Sequence, residues 1–188
     1  MEAPEHFISV DVETSGPVPG EFSLLSIGAV VVDRPELSFY VELMPDSPRY
    51  DPEAVAVTGL DLDQLRLTGK QPLDAMRALT NWLASTCGEG QRPVFIGLNA
   101  PFDWSFVNYY FHRYCGTNPF GFTALDIKAY FMGALNVRWD QTKSSRMAGI
   151  LGPTLSPSHN ALDDAKYQAE LFRLLNSRLR NQQSGSRQ

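Results

Sequence analysis

The stretch FISVDVETSG, residues 7–16, leads from an apolar run through two acidic residues into a turn-like Thr-Ser-Gly. The apolar run favours a buried strand, because aliphatic and aromatic side chains suit a pleated, covered surface. Side chains two positions apart on a strand point to the same face, so Asp11 and Glu13 are expected side by side where the strand ends. Two carboxylates this close raise each other's pKa unless a cation or a group of donors lies between them. An isolated D-x-E is most often a solvated strand end, so its role depends on what the fold brings beside it.

The segments around this motif predict a mixed sheet. Residues 6–12, 24–32 and 37–44 are rich in strand formers, and the links between them are too short for a crossover helix. These three segments are therefore expected to form an antiparallel meander. A helix at 72–86, where apolar residues keep helical spacing, and a buried strand at 93–100 follow.

The second half of the chain completes an α/β pattern. Its elements are expected to be a helix, a short strand, two helical pieces and a long final helix, at 101–114, 123–127, 128–135, 142–150 and 160–180. The fold class is thus a five-stranded mixed sheet, the antiparallel meander plus two parallel strands, flanked by helices. If the strand at 93–100 runs parallel to the first, both end at the edge where open α/β sheets bind ligands. Residues 1–180 are expected to form a single domain and the polar residues 181–188 a disordered tail.

The composition is that of an ordinary soluble domain, with 43% hydrophobic and 20% charged residues among 188. No apolar run is long enough to span a bilayer, and the acidic N-terminal stretch lacks the basic residues of a signal peptide, so no membrane partner is expected. Cys87 and Cys115 lie far apart without C-x-x-C spacing, which indicates reduced thiols and a cytoplasmic protein. The net charge of −5 argues against non-specific wrapping of nucleic acid. It still allows an enzyme that meets a strand end through bound cations.

Further acidic residues stand at two predicted helix starts. Asp103 lies in the first turn after Pro101, where the helix dipole favours a carboxylate, but it heads an apolar face. In SHNALDDA, residues 158–165, Asn160 is a candidate N-cap, and Asp164 lies at the margin of the core face, with His159 just before the helix. Taken singly, each of these residues is more often structural than catalytic.

Taken together, the stretches DVETSG, NAPFDWSF and HNALDDA resemble the three motifs of the DEDDh-type 3′–5′ exonucleases, which have a ribonuclease H-like fold. This family includes ribonuclease T, oligoribonuclease and the proofreading subunit of the bacterial replicative DNA polymerase. The third motif is a His followed five residues later by an Asp, which selects Asp164 over Asp163. The resemblance covers roughly residues 7 to 175, and the three motifs occur in the family's order on the expected elements.

The resemblance implies a two-metal phosphodiester hydrolase. Two Mg²⁺ ions, for which Mn²⁺ can substitute, would be held by the four carboxylates of Asp11, Glu13, Asp103 and Asp164. Asp11 would bridge the ions, and His159 would be the general base, a task that suits an imidazole with an ordinary pKa near 6.5. The implied substrates are 3′ ends of single-stranded DNA or RNA, and the products are nucleoside 5′-monophosphates.

Substrate contacts are predicted beside these motifs. Thr14 follows D-x-E, and Phe102, next to Asp103, offers a ring on which a terminal base could stack. Basic residues cluster ahead of the third motif, where Lys143 and Arg146 are expected to contact the backbone phosphates of the departing strand.

Two other interpretations remain open on the sequence. One is a nuclease-like domain without catalytic activity that acts as an interaction module, although all five motif positions are filled. The other is a calcium or other metal-binding protein, but no EF-hand spacing is present. The choice between DNA and RNA is not encoded in any single residue. A homodimer is also left open, because several members of the family pair.

Overall fold

The computed structural model describes residues 5–185, which contain one five-stranded sheet. Its strands are β1 (His6–Thr14), β2 (Leu24–Val31), β3 (Arg34–Glu42), β4 (Pro93–Gly97) and β5 (Ala124–Asp126). They lie in the order β3-β2-β1-β4-β5. β1 and β3 run antiparallel to β2, whereas β4 runs parallel to β1 and to β5. The predicted fold class, a meander of three strands plus two parallel strands, is confirmed.

The helices cover both faces of this sheet. They are α1 (Pro52–Thr58), α2 (Leu62–Thr68), α3 (Pro72–Thr86), α4 (Ala100–Tyr110), α5 (Ile127–Leu135), α6 (Ser144–Leu151) and α7 (Ala161–Gly185). The helix expected at 101–114 is α-helical only to Tyr110 and then forms a π-helical turn over Phe111–Cys115. The piece expected at 142–150 corresponds to α6, and a 3₁₀ turn, Trp139–Thr142, precedes it. Among the described residues, no helix has the length and apolar character needed to cross a membrane.

The alternation of side chains along β1 separates two cores. Ile8, Val10 and Val12 pack into the core that also contains α3 and α4, while Phe7 packs against the core built by α5, α6 and α7. Burying each such large aliphatic side chain contributes about 1.5–3 kcal/mol. Asp11 and Glu13 share the parity of Phe7, so β1 presents them toward α7 rather than toward the first core.

A glycine in β2 lets α7 come close to these carboxylates. Gly28 pairs with Asp11 in the sheet, and a Cβ atom there would lie 2.1 Å from the carbonyl oxygen of Ala161 in the first turn of α7. Any side chain at this position would push the helix start away. The small residue therefore sets how near the third motif can approach the first.

The last helix is longer than the sequence indicated. α7 continues to Gly185, so residues 181–185, expected to belong to the tail, are helical. Residues 186–188, the remainder of the expected tail, lie outside the described residues.

Candidate active site

The core of the candidate site is a group of three carboxylates contributed by β1 and α7. Asp11, Glu13 and Asp164 each offer a carboxylate oxygen, and these oxygens lie within 4.8 Å of one another. Two come from the end of a buried strand, and the third comes from the first turn of a helix that begins 150 residues later. The fold thus joins two of the motifs that the sequence separates.

Asp164 is fixed by the turn that precedes α7. Its Oδ1 accepts a hydrogen bond from the N–H of Ser158 at 2.7 Å, and its Oδ2 accepts one from the N–H of His159 at 3.1 Å. Asn160 caps the helix, since its Oδ1 accepts from the N–H of Leu162 at 3.1 Å. The neighbouring Asp163 is exposed and lies 3.6 Å from the Nζ of Lys166, so Asp164 is the member of this pair that faces the site.

Asp103 approaches the same strand end from α4. It is only 4% exposed, and its Oδ1 accepts a hydrogen bond from the backbone N–H of Val12 at 3.1 Å. Asp126, at the end of β5, supports the start of α4 because its Oδ2 accepts from the N–H of Ala100 at 2.8 Å. Asp103 does not belong to the group of three within 4.8 Å, but its charge acts on Asp11.

The carboxylates perturb one another strongly. Burial raises the pKa of Asp11 well above its ordinary value, and the charges of Asp103, Asp164 and Glu13 raise it further. Burial and the charge of Asp164 raise the pKa of Glu13 to about 7. Burial also raises the pKa of Asp103 to about 8, although the hydrogen bond from Val12 opposes this. Near neutral pH the group therefore holds protons that a bound cation would displace.

The donor set fits a divalent metal. Carboxylate oxygens are the ligands that Mg²⁺, Ca²⁺ and Mn²⁺ prefer, and three of them converge here. Among the described residues, none of the ion pairs joins a Lys or Arg to any of these carboxylates. Within this part of the chain the cluster therefore has no neighbouring positive charge, and a divalent cation could be bound by Asp11, Glu13 and Asp164, with Asp103 beside them.

His159 lies next to this cluster on an exposed turn. Its backbone is bound to Asp164, as described above, whereas its side chain is exposed to solvent. Its φ of 60° is in the left-handed region, which costs a residue other than glycine about 1–2 kcal/mol. The turn holds the histidine beside the site in spite of this cost, with its ring left accessible.

The four predicted substrate residues differ in how exposed they are. Thr14 is 6% exposed, and its hydroxyl donates to the carbonyl of Gly16 at 2.9 Å, so it shapes the turn after D-x-E. Phe102 is half-buried with its ring 5.4 Å from that of Phe106. Lys143 and Arg146, at the start of α6, are exposed. The structure does not assign a substrate contact to any of these four predicted residues, which remain predictions.

Sequence reasoning missed two residues that contact the site. One is Asp126, which supports α4; the only signal for it was an acidic residue at the boundary between a short strand and a helix. The other is Gln168 on α7, whose Nε2 donates to Asp11 Oδ1 at 2.5 Å. Its position on the same helical stripe as Asp164 was visible in the sequence, but its partner lies 157 residues away.

Comparison with known proteins agrees with this arrangement. The chain matches the RNase_T family model, described as Exonuclease, over residues 8–172. It is 51% identical over 171 residues to the 3′–5′ DNA exonuclease Cap18 of Escherichia coli, and the match covers 91% of each chain. The nuclease domain of 3′hExo, a DEDDh family member bound to rAMP, has a similar structure, with a TM-score of 0.75, 16% identity and coverage of 94% of this chain and 95% of that one. E. coli Exonuclease I in complex with a dT13 oligonucleotide gives a TM-score of 0.74 at 16% identity, covering 96% of this chain and 43% of that one.

The two solved structures share the fold at low sequence identity, whereas the family model and the E. coli relative match in sequence along nearly the whole chain. The family match runs from β1 into α7 and so includes all three motifs. The chain therefore belongs to the exonuclease family, and its predicted membership of the DEDDh-type 3′–5′ exonucleases is confirmed.

Proposed function

We propose that this protein degrades single-stranded DNA from its 3′ end with two Mg²⁺ ions and releases nucleoside 5′-monophosphates. The observation that carries this proposal is the convergence of Asp11, Glu13 and Asp164 within 4.8 Å, with the buried Asp103 beside them. The choice of DNA is supported by the name of the E. coli relative, which is called a DNA exonuclease.

The four carboxylates would hold the metal ions, and the raised pKa values of three of them supply the reason. A group that retains protons at neutral pH because of burial and mutual repulsion gains free energy when cations replace those protons. The bound ions would place positive charge at the scissile phosphate and favour ionisation of a water molecule. The chain itself contributes the fixed geometry that β1, α4 and α7 impose on the ligands.

His159 is proposed as the general base. A ring nitrogen of its neutral imidazole takes a proton from the attacking water, a role that requires an accessible side chain next to the carboxylates. The proposal is supported by the turn, in which the backbone N–H of His159 is bound to Asp164 at 3.1 Å and the residue is exposed. The base is thereby tied to one of the groups that hold the metal.

The strand end would be held by stacking and by a few cations. Phe102 is proposed to stack on a terminal base, and Thr14 to shape the turn that receives the terminal sugar. Lys143 and Arg146 are proposed to contact phosphates further along the strand. None of the salt bridges among the described residues involves either of these two side chains, which leaves both available for phosphate.

The test is a set of matched oligonucleotides labelled at the 5′ end. Single-stranded DNA, the RNA of the same sequence and duplex DNA are incubated with Mg²⁺, with Mn²⁺ and with EDTA, beside the Asp11→Asn variant. We expect a ladder that shortens from the 3′ end on single-stranded DNA with either metal, and none with EDTA or the variant. Faster digestion of RNA would refute the choice of DNA. Full activity in EDTA would refute the metal mechanism.

The comparisons do not favour the alternative that the sequence left open, a catalytically silent domain. It would bind the oligonucleotides without shortening them in any metal, and it would bind equally well after Asp11→Asn. No observation favours it, because all five motif positions are filled and three of the four carboxylates converge.

A further inference from the structure

Gln168 connects the last helix to two strands of the sheet. It lies one turn after Asp164 on α7 and is 3% exposed. Its Nε2 donates to Asp11 Oδ1 at 2.5 Å, and its Oε1 accepts a hydrogen bond from the N–H of Leu98 at 2.8 Å. Leu98 directly follows β4, so one amide group spans from α7 to the ends of both β1 and β4.

The orientation of this amide is determined by its partners. The backbone N–H of Leu98 can only donate, so the atom that faces it has to be the amide oxygen. The NH₂ group of Gln168 must then face Asp11. The contact requires an acceptor lone pair on Asp11 Oδ1, and it leaves the other lone pairs of that carboxylate for further partners.

Two of the other carboxylates differ from Asp11 in how they are supported. Asp164 accepts two hydrogen bonds from the backbone of its own turn, and Asp103 accepts one from the backbone of Val12. Asp11 instead accepts from a side chain on another element. Glutamine is rarely buried, and Gln168 lies between the fully buried Ala165 and Ala169. This placement suggests that its amide group has a function there.

We propose that Gln168 is a positioning residue, which holds the Asp11 carboxylate in the orientation that presents its free lone pairs to the divalent ions. This inference rests on the proposed function, since it assigns Asp11 to the metal site. Residues that orient the ligands of a metal in this way commonly affect metal affinity or activity about 10–100-fold when they are changed.

A purely structural role predicts a different result, because satisfying the N–H of Leu98 would then be the only task of Gln168. Gln168→Glu separates the two roles. Its carboxyl oxygens can still accept from Leu98, but a carboxylate offers Asp11 no donor. If Gln168 positions Asp11, the variant binds Mn²⁺ and turns over the oligonucleotide about 10–100-fold more weakly than wild type.

The experiment measures the affinity for Mn²⁺ by calorimetry, and kcat and KM on single-stranded DNA, all at one pH. Gln64→Glu, at an exposed position on α2, is the matched control and should follow wild type. Wild-type Mn²⁺ affinity and wild-type kcat in Gln168→Glu would overturn the proposal.

Gln168→Met provides a second arm, because it removes both hydrogen bonds with little change in volume. We expect it to weaken Mn²⁺ binding and to lower kcat about 10–100-fold, with KM for the oligonucleotide little changed. If this variant does not fold, the Glu variant alone decides. Wild-type protein that binds Mn²⁺ but cuts no oligonucleotide would contradict the proposed function, while the effect of Gln168 on Mn²⁺ affinity would still test the positioning.

Discussion

At the scale of single residues, Asp103 is the most buried of the four carboxylates, since only 4% of its surface is exposed. Asp103→Asn should reduce activity to less than about one hundredth of wild type, since changes even outside the ligand shell cost 10–100-fold. The fold should be unharmed, because the amide oxygen can still accept from the N–H of Val12. At pH 8 and without metal the variant should melt at the same temperature as wild type or higher. Substantial Mg²⁺-dependent turnover by this variant would contradict the assignment of Asp103.

His159 can be tested separately from the turn that carries it. His159→Asn should lower kcat by about 10²–10⁴ through loss of the general base, and the limb of the pH–rate profile that this base produces should disappear. Asparagine tolerates the left-handed backbone that His159 adopts with a φ of 60°, so the melting temperature should hardly change. His159→Ala should lose the same activity and also some stability. A pH–rate profile that keeps its limb in both variants would mean that His159 only shapes the turn.

The sequence predicted the carboxylates of the site but not the residues that support them. Asp11, Glu13 and Asp164 were predicted from spacing and resemblance, and they do converge. Gln168 and Asp126 could not be predicted, because a polar residue on a helix stripe or at a strand end has many partners before the fold is known. Their importance comes from distances across the sheet, which no local pattern encodes.

At the scale of elements, the approach of α7 to β1 is set by Gly28. Gly28→Ala places a Cβ atom about 2 Å from the backbone of the first turn of α7, a clash that only movement of the helix can relieve. Overpacking of this kind typically costs 1–3 kcal/mol, and here it also displaces Asp164 from Asp11. We expect a lower free energy of unfolding and weaker Mn²⁺ binding, measured by denaturant titration and calorimetry.

Gly149→Ala is the matched control for this prediction. Gly149 lies within α6, and no atom stands within 4 Å of where its Cβ would be. The alanine should therefore stabilise the protein by about 0.4–1 kcal/mol and leave Mn²⁺ affinity unchanged. Equal Mn²⁺ affinities in both variants would show that the position of α7 does not control the site.

Some element boundaries differ from those that the local sequence pattern predicted, because tertiary contacts extend or change the element. β1 was expected to end at residue 12, yet it pairs with β2 through Thr14, because Glu13 still has a sheet partner in Ser26. The π-helical turn after Tyr110 was invisible, since an aromatic run has the same composition in either helix type. The helix expected to end at residue 180 continues beyond it, because polar residues can extend a helix without burying apolar surface.

At the scale of the whole molecule, the carboxylate cluster makes stability depend on pH and metal. A carboxyl whose pKa is about 7 or 8 when folded, but about 4 when unfolded, binds more protons in the folded state between these values. The metal-free protein should therefore lose stability as the pH rises from about 4 through 8. Mg²⁺ should oppose this loss, because a ligand at 100 times its Kd raises the free energy of unfolding by about 2.7 kcal/mol.

Melting curves with EDTA and with Mg²⁺ at several pH values measure this linkage. The Asp103→Asn variant should show a shallower loss of stability with pH in EDTA, because one of the raised groups is gone. A metal-free melting temperature that rises steadily from pH 5 to pH 8 would contradict the raised pKa values of the cluster.

The way in which a protein with a net charge of −5 holds a polyanion can be tested through salt. Of the four basic residues between 128 and 146, Arg138 is paired with Asp140 at 3.1 Å and Lys128 lies over the ring of Trp139. Lys143 and Arg146 remain for the substrate. Each phosphate contact on a single strand contributes a slope of about −0.7 in log K against log salt, so two or three contacts give a slope near −2.

Replacing Lys143 and Arg146 together by glutamine should make that slope shallower by about 1.4 and weaken the binding of long single strands, while cleavage of a dinucleotide hardly changes. Only the long strand reaches α6 if it leaves the carboxylates past the third motif. The control is Lys70→Gln with Arg77→Gln, which removes the same charge from exposed positions. Lys70 precedes α3 and Arg77 lies within it, and α3 packs on the other face of the sheet from α6. Fluorescence anisotropy from 50 to 300 mM salt, on the His159→Asn protein with bound metal to slow cleavage, measures the slopes. If both pairs change the slope equally, only net charge matters, and the strand does not follow α6.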